Sequence, residues 1–249
     1  MSAPFVCSAL TLFHCVATKT RLGQRTNADK LPGYEMPASY DQIAGQSVER
    51  LAALSDGVFA VAMTLLLLEL HVPSREAIHT ERELLHAMAA FGPQLAVYLM
   101  SFLTLGIFWM GQQTQLNHLV RSNRNLSWLH LAFLFAVTLM PVSTRFLTEF
   151  AQYRSALLAY WANILLLGGI LYLSWGRATQ AKLIENDMPP DVPPAICRRI
   201  VIGQSLYALG ALLCVFNTYW SIAFLVLVQL YFAIAPRLGR RETRVVSAD

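Results

Sequence analysis

The sequence predicts an all-α, polytopic membrane protein with six transmembrane helices per chain. Two observations carry that prediction. Hydrophobic residues make up 55% of the 249 residues and charged residues only 14%, whereas soluble domains carry about 25% charged residues. From Leu51 onward, six apolar stretches follow one another, each near the ~20 residues needed to cross a hydrocarbon layer about 30 Å thick.

The first stretch covers about 51–71 and the second about 90–111. Pro93 is read near a helix start, where its missing N–H has no helical partner to lose. The third covers about 126–147 and contains Pro141, which predicts a kink and a freed carbonyl. The fourth is about 155–175, the fifth about 199–218 and the sixth about 219–236. A very short turn at Asn217–Tyr219 makes the last two an antiparallel pair. Trp128, Tyr160, Trp175, Tyr219 and Trp220 lie near stretch ends, which suits anchoring at the membrane–water interface.

Three regions follow from this reading: a tail over 1–46, a six-helix membrane domain over 47–236, and a basic tail over 237–249. Ala3–Ala17 is apolar but too short to span, and it lacks a basic n-region because the first lysine is Lys19. Residues 1–46 are read as a loosely attached tail, with Met36 as an alternative start. Placing the N-terminus in the cytoplasm puts 15 of the 19 Lys and Arg residues inside, leaving Arg75, Arg82, Arg145 and Arg154 outside. That asymmetry is the positive-inside pattern and predicts a plasma (inner) membrane protein with both termini cytoplasmic. The end carrying Arg237, Arg240, Arg241 and Arg244 suits anionic lipid headgroups; no soluble module suggests nucleic acid.

The connecting segments carry less chemistry. Residues 177–198 contain four prolines and mixed charges and read as an exposed linker. In the segment 73–89, Ser74 is placed to cap a short amphipathic helix. His79, Glu81, Glu83 and His86 on that segment read as a solvated face, since no ligand set has metal-site spacing. Cys7, Cys15, Cys197 and Cys214 show no paired spacing, and Cys197 and Cys214 read as small apolar residues. No cofactor is expected.

The first stretch carries the informative residues. Asp56 sits one to two turns inside an apolar helix, where a charge costs about 2.5–3.5 kcal/mol at the centre of a span. Such a residue marks a functional site by default and faces the bundle. At 100° per residue, Val61, Thr64, Leu65 and Leu68 share one stripe, and Asp56 lies about 140° from Val61. The wheel therefore separates a stripe with one hydroxyl from an acidic site near the cytoplasmic end, where Asp56 is expected to be paired. It does not say whether the stripe faces lipid, core or a pore. Gly57, Ala60 and Ala62 permit close helix approach in any of these cases.

The motif R-x-x-x-L-S-D-G-V-F-A at Arg50–Ala60 resembles the first-helix signature of the transmembrane protein 175 family of potassium channels. Arg50, Leu54, Ser55 and Asp56 stand at the motif positions. The similarity continues in S-F-x-x-x-G-x-F-W at Ser101–Trp109 and in N-L-x-W-L-x-L-x-F-L-F at Asn125–Phe135. The resemblance implies a pore lined by the first helix of each subunit, with potassium as the permeant ion. It places the apolar constriction at Val61, with Leu65 and Leu68 as further layers and Thr64 as a pore-facing hydroxyl. Arg50, Leu54, Ser55 and Asp56 become the network that holds the pore helices. One motif copy per chain implies a homotetramer.

Four positions depart from the family pattern. Leu54 replaces a phenylalanine, and Val61 is smaller than the residue common at the constriction. Gln112 and Gln113 stand where relatives often carry a histidine pair, which leaves the polar role of that pair without its usual residues. The function expected is a potassium-selective leak channel. A secondary transporter of ions or small solutes is the alternative, but it calls for repeats and broken helices at the midplane; a non-conducting scaffold is a third. An enzyme is supported least, since no nucleophile–base pair or ligand cluster lies in the spans.

Overall fold

A computed structural model describes residues 47–70, 78–185 and 187–234. Seven helices account for the expected spans: α1 (Val48–Leu68), α2 (Glu81–Asn117), α3 (Arg124–Thr138), α4 (Met140–Glu149), α5 (Arg154–Gln180), α6 (Val192–Leu212) and α7 (Thr218–Ile234). A 3-10 turn at Leu213–Val215 extends α6. Among the described residues, five helical stretches, with α3 and α4 taken as one, are long and apolar enough to cross a membrane, and α7 is a shorter apolar helix. The chain is an all-α integral membrane protein. The tails read at 1–46 and 237–249, and Ser74, lie outside the described residues.

The second span starts earlier than its hydropathy suggests. Thr80 Oγ1 accepts from the Glu83 N–H, and the Glu83 carboxylate accepts from the N–H groups of Thr80 and His79 at 3.1 and 2.7 Å. This reciprocal cap satisfies donors that would otherwise be orphaned and starts one continuous 37-residue helix. Among the described residues no separate amphipathic helix precedes the span, and Pro93 sits well inside α2. Pro93 and Ala89, whose carbonyl loses its helical partner, are both exposed, so the missing bond is not sealed in the core. Glu83, expected on a solvated face, spends its carboxylate on the cap.

Pro141 does break the third span, as expected. Its absent N–H ends α3, and the Leu139 N–H turns to the Phe135 and Val137 carbonyls. Ser143 and Thr144 hydroxyls both donate to the Met140 carbonyl, at 2.9 and 2.8 Å, and restart the helix as α4. The 177–198 segment is shorter as a loop than expected. Helix α5 runs to Gln180 and α6 begins at Val192, whose following prolines fit a first turn. Lys182, at φ 52°, terminates α5 in the left-handed conformation. The linker is also pinned: Leu183 is buried and its carbonyl accepts from Val120 N–H at 3.0 Å.

The core forms where α3 and α4 pack along α5, with α2 bridging to α7 and α6 flanking both. At its centre lies a polar seam. Tyr160, read above as an interface anchor, is fully buried instead. Its hydroxyl lies 3.3 Å from Ser101 Oγ and 3.2 Å from Thr104 Oγ1. Thr144 Oγ1 lies 2.8 Å from Ser101 Oγ, and Gln229 Nε2 donates to Thr104 Oγ1 at 2.6 Å. Four helices are thereby joined by hydroxyls that have no water to turn to. Trp175 is likewise buried, donating from Nε1 to the Pro193 carbonyl at 3.1 Å. Trp175 sits inside α5 because that helix runs on to Gln180, and Tyr160 lies on its inward face. Trp128, Tyr219 and Trp220 are exposed, as interface anchors are. Cys214 is buried and Cys197 half-buried, in keeping with a small apolar role.

Candidate functional site

Helix α1 starts at Ser47, whose hydroxyl accepts from the Arg50 N–H. Its inner face is set by the 3.6-residue period: Ser55, Phe59, Ala62 and Leu66 are buried against α2, α3 and α4. Phe59 meets Phe133 of α3 at a ring separation of 6.1 Å. The opposite face carries Val61, Thr64, Leu65 and Leu68, all exposed within the subunit, Leu68 at 73%. Thr64 Oγ1 donates to the Val61 carbonyl at 2.8 Å, so its proton is used along the helix and its oxygen lone pairs remain outward. Gly57 and Ala60 continue this face; Ala62 belongs to the packed side.

At the cytoplasmic end of the expected topology, polar groups clasp α1. Ser55 Oγ donates to the Leu51 carbonyl at 2.8 Å and lies 2.7 Å from His130 Nε2 of α3. Gln112 Nε2 of α2 donates to Ser55 Oγ at 3.2 Å and stands 3.2 Å from the His130 ring nitrogens. Asp56 accepts from Trp109 Nε1 at 2.8 Å and from Gln113 Nε2 at 2.7 Å. Asp56 is thus paired to the neighbouring helix while remaining exposed. The two glutamines, which left the histidine-pair role open on sequence, are the residues that hold the motif here. Each reaches a different member of it.

Arg50 and Leu54 stand apart. Both are exposed, and among the described residues the Arg50 side chain makes no hydrogen bond within the subunit. Neither joins the Ser55 and Asp56 contacts. His130 was missed on sequence, although an ionisable side chain within an apolar span is itself a signal. At the other end of α1, Arg145 Nε lies 3.8 Å from a Glu69 carboxylate oxygen and 2.8 Å from one of Glu149. Among the described residues, no group of three His, Cys, Asp or Glu side chains is placed to hold a metal ion.

Known proteins show the same helix and the same architecture. The family described as "Endosomal/lysosomal potassium channel TMEM175" matches residues 50–141. A protein named a potassium channel from Streptomyces collinus is 38% identical over 103 residues, covering 41% of this chain and 48% of that one. The chain therefore spans about half the length of that relative. One from Chamaesiphon minutus, also named a potassium channel, is 26% identical over 189 residues, covering 74% of this chain and 93% of the relative. A mouse protein named an endosomal/lysosomal proton channel is 31% identical over 137 residues, 27% of its length. The crystal structure of a lysosomal potassium-selective channel TMEM175 homolog from Chamaesiphon minutus superposes with a TM-score of 0.66 at 25% identity. It covers 76% of this chain and 97% of that one. By motif, by alignment and by fold, the chain is similar to proteins of the transmembrane protein 175 family.

Proposed function

We propose that the chain is a potassium-selective leak channel, a homotetramer of the 47–236 domain with α1 of each subunit around the central axis. The observation that carries this reading is the exposed stripe Val61–Thr64–Leu65–Leu68 on a helix whose other face is packed and whose motif is clasped. Four copies meeting on an axis bring this face together with closed symmetry. Potassium crosses an apolar neck at Val61, where passage depends on how much hydration must be stripped. The outward lone pairs of Thr64 offer oxygens beside that neck, and Leu65 and Leu68 add dry layers above it. Arg50, on the exposed side of the same helix, faces the neighbouring subunit in this arrangement. The permeant ion is the only ligand required; lipid surrounds the bundle, and both termini face the cytoplasm.

The test is flux in liposomes under potassium and sodium gradients, with a pH gradient as a third arm because some relatives are named proton channels. Potassium flux in the wild type should exceed sodium flux. Val61→Asn should wet the neck and raise potassium flux about tenfold, the factor that ~1.4 kcal/mol off a barrier gives. No potassium flux, or flux unchanged by Val61→Asn, overturns the assignment.

A further inference from the structure

A small cavity lies where α1, α2, α3 and α5 meet, lined by Leu51, Gln112, Gln115, His130 and Ser174 among others. It offers about 20 Å³ of space for a water-sized sphere. A water requires at least ~10–15 Å³ on that measure and two to four polar partners. That volume is enough for one.

The polar atoms at its wall are not balanced among themselves. His130 Nε2–H can donate to Ser55 Oγ, Ser55 Oγ–H donates to the Leu51 carbonyl, and Gln112 Nε2 donates to Ser55 Oγ. Gln115 Nε2 is committed to the Leu171 carbonyl at 3.1 Å. Every donor around Ser55 is then used, and Gln112 Oε1 remains buried with no hydrogen-bond partner. Gln112 itself is only 2% exposed, so bulk solvent does not reach it. Reversing the amide merely exchanges an orphan acceptor for an orphan donor pair. Leaving such a group unmatched costs about 1–3 kcal/mol.

We propose that this cavity is a site for one bound water, which donates to Gln112 Oε1 and reaches the Ser174 hydroxyl of α5. The water completes the clasp on α1. Ser55 is tied through Gln112 not only to α2 and His130 of α3 but also to α5, a helix with no direct polar contact to the motif among the described residues. The site is a feature of the single subunit and stands whether or not the assembled protein conducts potassium.

A density map that resolves ordered water elsewhere in the protein tests it. One peak is expected within hydrogen-bond distance of Gln112 Oε1, lost in Gln112→Leu. A map showing other buried waters but none here overturns the proposal, as does a peak that survives Gln112→Leu. A second measurement needs no variant. Brief X-ray irradiation generates hydroxyl radicals from bound water, and Leu116 and Phe133, which line the cavity, should be oxidised within milliseconds. Both residues remaining unlabelled while side chains near other waters react would also overturn it.

Discussion

The hydrogen bonds around Ser55 and those around Tyr160 use similar groups in different surroundings. The seam at Tyr160 joins α2, α4, α5 and α7 through side chains no more than 1% exposed. The clasp at Ser55 begins equally dry but runs outward to Asp56, which is exposed, and Trp109, which is 38% exposed. The seam holds together helices that already share an apolar core. The clasp holds a helix of which only 22% of its membrane window is buried. For α1, then, polar contacts decide rotation: they fix Phe59, Ala62 and Leu66 inward and leave Val61, Thr64, Leu65 and Leu68 outward. The difference assigns stability to the seam and the orientation of the stripe to the clasp.

The largest expected effect attacks the seam. Tyr160→Ala removes a fully buried ring and leaves Ser101 and Thr104 without their shared partner. The loss should be about 3–5 kcal/mol, as for large-to-small core changes, read as a sharp fall in melting temperature in detergent. Tyr160→Phe keeps the ring and should lose only about 0.6–1.7 kcal/mol, the range for interhelical hydrogen bonds in membranes. Protein that still folds should carry wild-type potassium selectivity. A selectivity change at unchanged stability would break the division between the two networks.

Next comes Ser55→Ala, which strikes the buried half of the clasp. It removes the oxygen that both His130 and Gln112 address, at about 1–3 kcal/mol for groups left unpaired. Here conduction should suffer more than the melting temperature indicates, because α1 loses its rotational reference. Trp109→Phe is milder, since Asp56 keeps its bond from Gln113. A loss of about 0.5–1.5 kcal/mol should be accompanied by a lower potassium-to-sodium flux ratio. An unchanged ratio in both variants would detach the clasp from the stripe.

Much of this was legible in the sequence, and the gaps have physical causes. The helical period set the stripe Val61–Thr64–Leu65–Leu68 apart from Asp56, but which face packs became visible only with Ser55, Phe59, Ala62 and Leu66 buried. The motif placed Ser55 and Asp56 in a polar network, yet nothing in it named His130, which lies 75 residues away. Long-range partners are set by packing, not by spacing. An aromatic near the edge of an apolar stretch looks like an anchor, but α5 runs past Trp175 to Gln180, and Tyr160 faces inward onto Ser101 and Thr104. The start of α2 is written in the Thr80-x-x-Glu83 cap, while hydropathy rises only about ten residues later.

The smallest expected effect lies at the far end of α1, where Arg145 meets Glu69 and Glu149. The Arg145 side chain is 57% exposed, and its contact to Glu69, at 3.8 Å, is the longer of the two. Exposed pairs of this kind lose most of their attraction to salt and to the entropy of two long side chains. Arg145→Gln should therefore leave the melting temperature unchanged at physiological ionic strength, with a slight fall only at low salt, where the screening length reaches ~30 Å. A large, salt-independent loss would mean that this end of α1 is anchored as firmly as the Ser55 end, and that the helix has two fixed points instead of one.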